Sequence, residues 1–169
     1  MATSRNQDSR NQHVSQQDAS GQGAGNQMRW PAYTMAVLFL GYALGKAVRA
    51  AQGRLGFPGG PESSVAEHEW YAANVMDVAT AQWWAVATGL AAAALVLATV
   101  TPVGRRVPRS LMLVLLAVAL VGLGSGAVMI AAGGFFGIGA DWQWYHGLAG
   151  IAVMALLTAT VRSYARATV

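Results

Sequence analysis

Three stretches of this chain, 81–101, 110–132 and 142–161, each run for at least 20 residues without a charged side chain. About 20 apolar residues are what a helix needs to cross roughly 30 Å of hydrocarbon. A helix of a soluble domain carries polar residues at helical spacing along one face, and none of these stretches does. A fourth, WPAYTMAVLFLGYALGKAVRAA at 30–51, is uncharged only from Trp30 to Gly45. That part spans about 24 Å at 1.5 Å per residue, which puts Lys46 and Arg49 near the far interface. The expected fold is therefore all-α: a polytopic membrane protein with four transmembrane helices at about 30–51, 81–101, 110–132 and 142–161.

Composition agrees. The 169 residues are 54% hydrophobic and 11% charged, with a mean hydropathy of +0.38, where a soluble domain carries about 25% charged residues. A net charge of +4 and a pI of 10.0 could suggest nucleic acid. The eleven basic residues, however, sit in short groups flanking apolar runs, with no basic stripe and no nucleic-acid motif, so no nucleic-acid partner is expected. The absence of cysteine excludes thiol exchange, thiolate-bound metal or clusters, disulfides and cysteine lipidation.

Residues 1–28 hold six Gln, three Asn and four Ser, no aromatic residue, and the repeat SRNQDSRNQ. Such a segment buries too little apolar surface to offset its ordering entropy and reads as a disordered tail. This polar leader, with Lys46 and Arg49 directly after the first apolar run, argues against a cleaved signal peptide. Between the first two spans, 52–80 reads as an outer loop in which ESSVAEHEWYAANVMDVAT is compatible with an interfacial helix.

Orientation follows from where the arginines lie. Insertion retains Lys and Arg in short cytoplasmic loops, and TPVGRRVPRS at 101–110 packs Arg105, Arg106 and Arg109 into one such turn with no acid. With the N-terminus inside, eight basic residues (Arg5, Arg10, Arg29, Arg105, Arg106, Arg109, Arg162 and Arg166) fall on the cytoplasmic side. Three, Lys46, Arg49 and Arg54, fall outside with Glu62, Glu67, Glu69, Asp77 and Asp141. Both termini are expected in the cytoplasm, the arginines against lipid headgroups, and Trp83, Trp84, Trp142, Trp144 and Tyr145 in an outer aromatic belt.

The two halves echo one another. AAQGRLG (50–56) and AAGGFFG (131–137) share a frame, QWW (82–84) matches QWY (143–145), and ATV recurs at 98–100 and 159–161. The last two matches share an offset of 61 residues, which suggests two related helical hairpins. Gly41-x-x-x-Gly45 and Gly122-x-x-x-Gly126 allow close backbone approach and are candidate helix–helix or dimer contacts.

Few residues could carry chemistry. Lys46 either snorkels outward or pairs with Asp77 or Asp141. Together with Asn74, which lies three residues from Asp77, these form a candidate polar cavity. His68 and His146 are suitable ligand types for a metal or haem, yet no metal-binding spacing occurs, so they read as interfacial residues and no cofactor is expected. No nucleophile elbow, P-loop or paired carboxylates are present.

The turn Pro102-Val103-Gly104-Arg105-Arg106-Val107-Pro108-Arg109 resembles the basic turn of uncharacterised four-pass membrane proteins common in actinobacteria. The Gly-rich exit at Gly53–Gly60 and the Trp142–Trp144 start of the last helix are similar to theirs. The resemblance covers about 29–166. It implies a four-helix fold in the cell membrane and supplies no activity and no catalytic residue. Three readings follow: a non-enzymatic accessory or structural component, alone or with a homo-oligomeric or membrane protein partner; a small transporter subunit acting as an oligomer; and a metal- or cofactor-binding membrane protein using His68, His146 and the outer acids.

Overall fold

The computed structural model describes residues 29–57, 59–138 and 142–168; the polar tail and Asp141 lie outside them. The described residues form five α-helices, α1 (Trp30–Ala51), α2 (Val65–Asn74), α3 (Val78–Ala98), α4 (Arg109–Phe136) and α5 (Trp144–Ala167), with a 3-10 turn, η1 (Pro102–Arg106), between α3 and α4. All but α2 are long and apolar enough to cross a membrane, and the molecule is an all-α polytopic membrane protein.

Local chemistry sets the boundaries. Pro31 near the start of α1 supplies a preset helical φ where no backbone donor is needed. The Asp77 carboxylate caps α3 by accepting from the Thr80 amide at 2.9 Å, so α3 begins at Val78, earlier than the charge pattern implies. Ser64 and Glu67 close a capping box that starts α2: the Glu67 amide donates to Ser64 Oγ at 3.2 Å and the Ser64 amide to Glu67 Oε2 at 2.8 Å. Helix α4 continues to Phe136 and stops where Gly137 turns left-handed at φ 64°. Its 28 residues span about 42 Å at 1.5 Å per residue, more than a bilayer core, so α4 tilts or projects beyond it.

Helix α1 packs along α3, and α4 along α5, as two hairpins. Contact between α1 and α5 joins them, while α3 and α4 barely touch. Met35, Phe39, Ala93, Val96 and Leu157 fill the middle, and Met112, Leu116 and Tyr164 fill the end that carries the arginines. Outward faces are also apolar, with Val121 at 73% and Met129 at 75% exposed on α4, the arrangement of a bundle whose solvent is lipid.

Lipid tails are as apolar as these side chains, so the helices associate through close contact rather than hydrophobic burial. A Cβ on Gly150 would stand 2.5 Å from the Ala127 carbonyl oxygen, and one on Gly134 would stand 2.5 Å from the Gly147 nitrogen. These positions, with Gly89 against Tyr42 and Ala43, bring the helices together. Three of the four expected packing glycines do not. Gly41, Gly122 and Gly126 have nothing within 4 Å of where a Cβ would be, and Gly45 is half-buried. The reason is rotational: Ala43 and Lys46, and Gly124 and Ala127, occupy the buried sides of α1 and α4, which turns Gly41, Gly122 and Gly126 toward lipid.

The hairpin echo is present in architecture but not in the roles of the matched residues. Gln82 lies inside α3 and is buried, whereas Gln143 is the exposed N-cap of α5. Gly53 leaves α1 at φ 60°, whereas its counterpart Gly134 remains helical.

Candidate functional site: a polar clasp on a glycine-rich loop

Four polar side chains near the loop end of the bundle, Lys46 and Gln82 buried and His68 and His146 half-buried, converge on the backbone of residues 53–57 and 59–60. Gly53, Gly56 and Gly59 take φ values of 60°, 127° and 70°, conformations that L side chains rarely adopt, and an isolated antiparallel bridge between Gly56 and Glu62 closes the segment. The curled loop turns its carbonyls toward the helices.

Four of those carbonyls meet side chains from four helices. From α1, Lys46 Nζ donates to the Gly56 carbonyl at 2.8 Å. The side chain is only 7% exposed, and its ammonium lies 4.4 Å from the centroid of the Phe57 ring and 5.7 Å from that of Tyr42. A buried ammonium is expensive without partners. Here a charge-assisted hydrogen bond and two aromatic faces replace its hydration.

From α3, Gln82, 2% exposed, donates Nε2 to the Arg54 carbonyl at 3.1 Å and, more weakly, to that of Gly56 at 3.4 Å. Its Oε1 is buried without a hydrogen-bond partner among the described residues, a penalty of about 1–3 kcal/mol for such a group.

From α2, His68 Nε2 lies 3.0 Å from the Gly53 carbonyl and 3.3 Å from the Leu55 amide nitrogen. As an N–H it donates to the first, and as a bare nitrogen it accepts from the second, so one tautomer serves one contact. From α5, His146 leaves no such choice. Nδ1 accepts from the Gln143 amide at 3.0 Å, and Nε2 lies 2.9 Å from the Gly59 carbonyl, to which it can only donate. Both ring nitrogens are thus engaged by backbone.

An aromatic cluster backs the clasp. Phe57 lies 5.8 Å from Tyr42 and 5.9 Å from Trp142, and Trp142 lies edge-on to His146 at 5.2 Å between centroids. A Cβ on Gly60 would be 3.3 Å from the Trp142 ring, and one on Gly133 would be 2.7 Å from it. Trp142 thus packs inward against the loop, where a belt residue was expected. Trp83, Trp84, Trp144 and Tyr145 are exposed.

Among the described residues, Lys46, Asn74 and Asp77 of the expected polar cavity do not come together, and Asp141 lies outside that set. Asn74 is exposed, and its Nδ2 donates to the Trp70 carbonyl at 2.8 Å. Asp77 is exposed and serves α3, accepting from the Thr80 amide and, at 3.0 Å, from the Thr80 hydroxyl. The backbone hydrogen bond from Thr80, then the side-chain one, lowers the carboxyl pKa from its ordinary value. Lys46 and Asp77 have separate partners, and Lys46 reaches inward to the loop rather than snorkelling. Among the described residues no group of three or more His, Asp or Glu could hold a metal. A groove of about 490 Å³ beside the clasp is lined by Arg49, Arg54, Glu62, His68 and Glu69 among others, charges of both signs.

At the opposite end, η1 tucks beneath α3 so closely that a Cβ on Gly104 would overlap the Ala98 carbonyl. Arg109 donates Nε to Thr168 Oγ1 at 3.1 Å, and the Arg106 side chain is exposed. The side chain of Arg105 lies outside the described set.

The part that Gln82 and the loop glycines play in the clasp is what the sequence reading missed. Gln82 is a polar residue inside an apolar span, a signal in its own right. Among known proteins, no family model, curated protein or solved structure matches the chain.

Proposed function

We propose that the chain is a non-catalytic component of the cytoplasmic membrane, with both termini inside and a closed cap on its outer end. The observation that carries this reading is the direction of the clasp. The Lys46 ammonium, the Gln82 amide nitrogen, the His68 Nε2 and both His146 nitrogens bind the chain's own backbone. Groups arranged for catalysis or transport face a substrate position; these face a loop. Apolar packing by Met35, Leu157 and their neighbours fills the middle of the bundle, which further opposes a solute path through a single copy.

Orientation rests on charge. Arg29, Arg106, Arg109, Arg162 and Arg166 mark one end, while the described acids Glu62, Glu67, Glu69 and Asp77 offset Lys46, Arg49 and Arg54 at the other, the distribution that insertion produces with the more basic end inside. The native chain has no cysteine, so single-cysteine labelling reads it cleanly. Val103→Cys is expected to react only from the cytoplasmic side and Ala66→Cys only from outside; the reverse would overturn the orientation.

A Cβ on Gly41, Gly122 or Gly126 would meet nothing within 4 Å, which supports assembly with a second helix surface on the lipid-facing side. Gly122→Ile with Gly126→Ile is expected to dissociate that assembly without unfolding the chain. The decisive test of the non-catalytic role uses full-length protein in liposomes. These vesicles should remain as tight to protons, alkali cations and amino acids as protein-free ones. Solute-driven flux abolished by Lys46→Met would overturn the proposal.

A further inference from the structure

We propose that the arginine end of the bundle contains a binding site for the phosphate group of one anionic lipid. A cavity of about 560 Å³ opens there between the start of α1, the end of α3, η1, the start of α4 and the end of α5. Arg29, Arg106 and Arg109 line it, and no Asp or Glu does. Nor does an acid occur anywhere in 99–110 or 161–168. Three guanidinium groups around one space repel each other unless an anion enters.

The site is also oriented. Arg109 donates Nε to Thr168 Oγ1, and that hydroxyl donates to the Tyr164 carbonyl at 2.9 Å, which holds the guanidinium on the cavity wall with its terminal N–H groups available. No hydrogen bond or ion pair engages the side chains of Arg29 and Arg106 among the described residues. Helix α4 begins at this wall behind Pro108 with no side chain capping its first turn, so its amides add partial positive charge. Guanidinium forks match phosphate oxygens in pairs of hydrogen bonds.

A lipid fits better than a free anion because Ala98, Val100, Val107 and Pro108 place apolar surface among the threonines of the remaining wall, beside the arginines. The cavity also lies where the apolar spans end, at headgroup depth. The proposal requires the helices to lie in a bilayer but not that this end face a particular side.

The test titrates full-length protein in neutral detergent with phosphatidylglycerol, phosphatidylcholine and, separately, inorganic phosphate, following retained lipid by native mass spectrometry and stability by thermal shift. One phosphatidylglycerol per chain is expected, in preference to phosphatidylcholine. Arg29→Gln with Arg106→Gln, which removes no contact within the fold, should weaken retention at least ~10-fold through loss of charge-assisted hydrogen bonds. Arg162→Gln with Arg166→Gln takes the same charge from the same end outside the cavity and should change retention by less than about 2-fold, as expected of screened surface charge. Equal losses in the two variants would mean diffuse surface attraction and would overturn the site, as would retention of phosphatidylcholine equal to that of phosphatidylglycerol. Inorganic phosphate that stabilises the protein as strongly and displaces the lipid would reassign the site to a free anion and overturn the lipid assignment.

Discussion

The Lys46 ammonium and the Gly56 carbonyl, ten residues apart, meet at 2.8 Å, and through this contact the buried charge of α1 becomes the anchor of a loop. Gln82 reaches the same carbonyl from α3, so two neighbouring helices and the segment connecting them share one acceptor.

Coupling energies test that arrangement. Lys46→Met removes a charge-assisted hydrogen bond worth about 1.5–3 kcal/mol, partly offset because an ammonium no longer has to be buried. A net loss of about 1–2 kcal/mol is expected in detergent unfolding. Combined with Phe57→Leu, the loss should be smaller than the sum of the single effects, because the two side chains touch. Combined with Asp77→Asn it should be additive. Rescue of Lys46→Met by Asp77→Asn would instead show that the two charges are paired.

The glycines divide into two groups with different expected outcomes. Gly134→Ala and Gly150→Ala place a methyl group against backbone atoms 2.5 Å away and should each destabilise by about 1–3 kcal/mol as overpacking. Gly122→Ala and Gly126→Ala meet open space and should be neutral or slightly stabilising, since alanine favours the helix by about 1 kcal/mol over glycine in an exposed position. Thermal unfolding of the four single variants separates the groups.

Asp77 gives the fold an acid-dependent element. Its folded-state pKa is lowered by the Thr80 hydrogen bonds. Its stabilisation is therefore fully present above the unfolded carboxyl value of about 3.9, and is lost as pH falls through the lower folded value. Asp77→Asn should lower the melting temperature at neutral pH and flatten its decline on acidification below about pH 4. An unchanged acid slope would show that the cap carries no pH dependence.

The spans, their order and the charge asymmetry between the ends were legible because they depend on composition along the chain. Lipid selects long uncharged runs, and insertion selects where arginine lies. The clasp depends on contacts between distant positions: Gln82 with Arg54, 28 residues apart, and His146 with Gly59, 87 apart. Its acceptors are backbone carbonyls, which every residue has, so no residue type marks the partner. Lys46 consequently read as snorkelling or ion-paired. Two local signals were nonetheless present, Gln82 within an apolar span and Ser64-x-x-Glu67 at the start of α2. The Gly-x-x-x-Gly spacing places two glycines on one face without saying whether that face meets a helix of the same chain, and for Gly41, Gly122 and Gly126 it does not.

Hydrogen exchange across 53–60, measured on full-length protein in nanodiscs, tests the closed cap most directly. The Gly53, Arg54 and Gly60 amides donate within the loop or to the end of α1 and should exchange at least ~10-fold more slowly than in an unstructured chain. Lys46→Met with His146→Phe should remove that protection while α4 remains unchanged. Unprotected exchange in the native chain, or protection that survives both substitutions, would contradict the account.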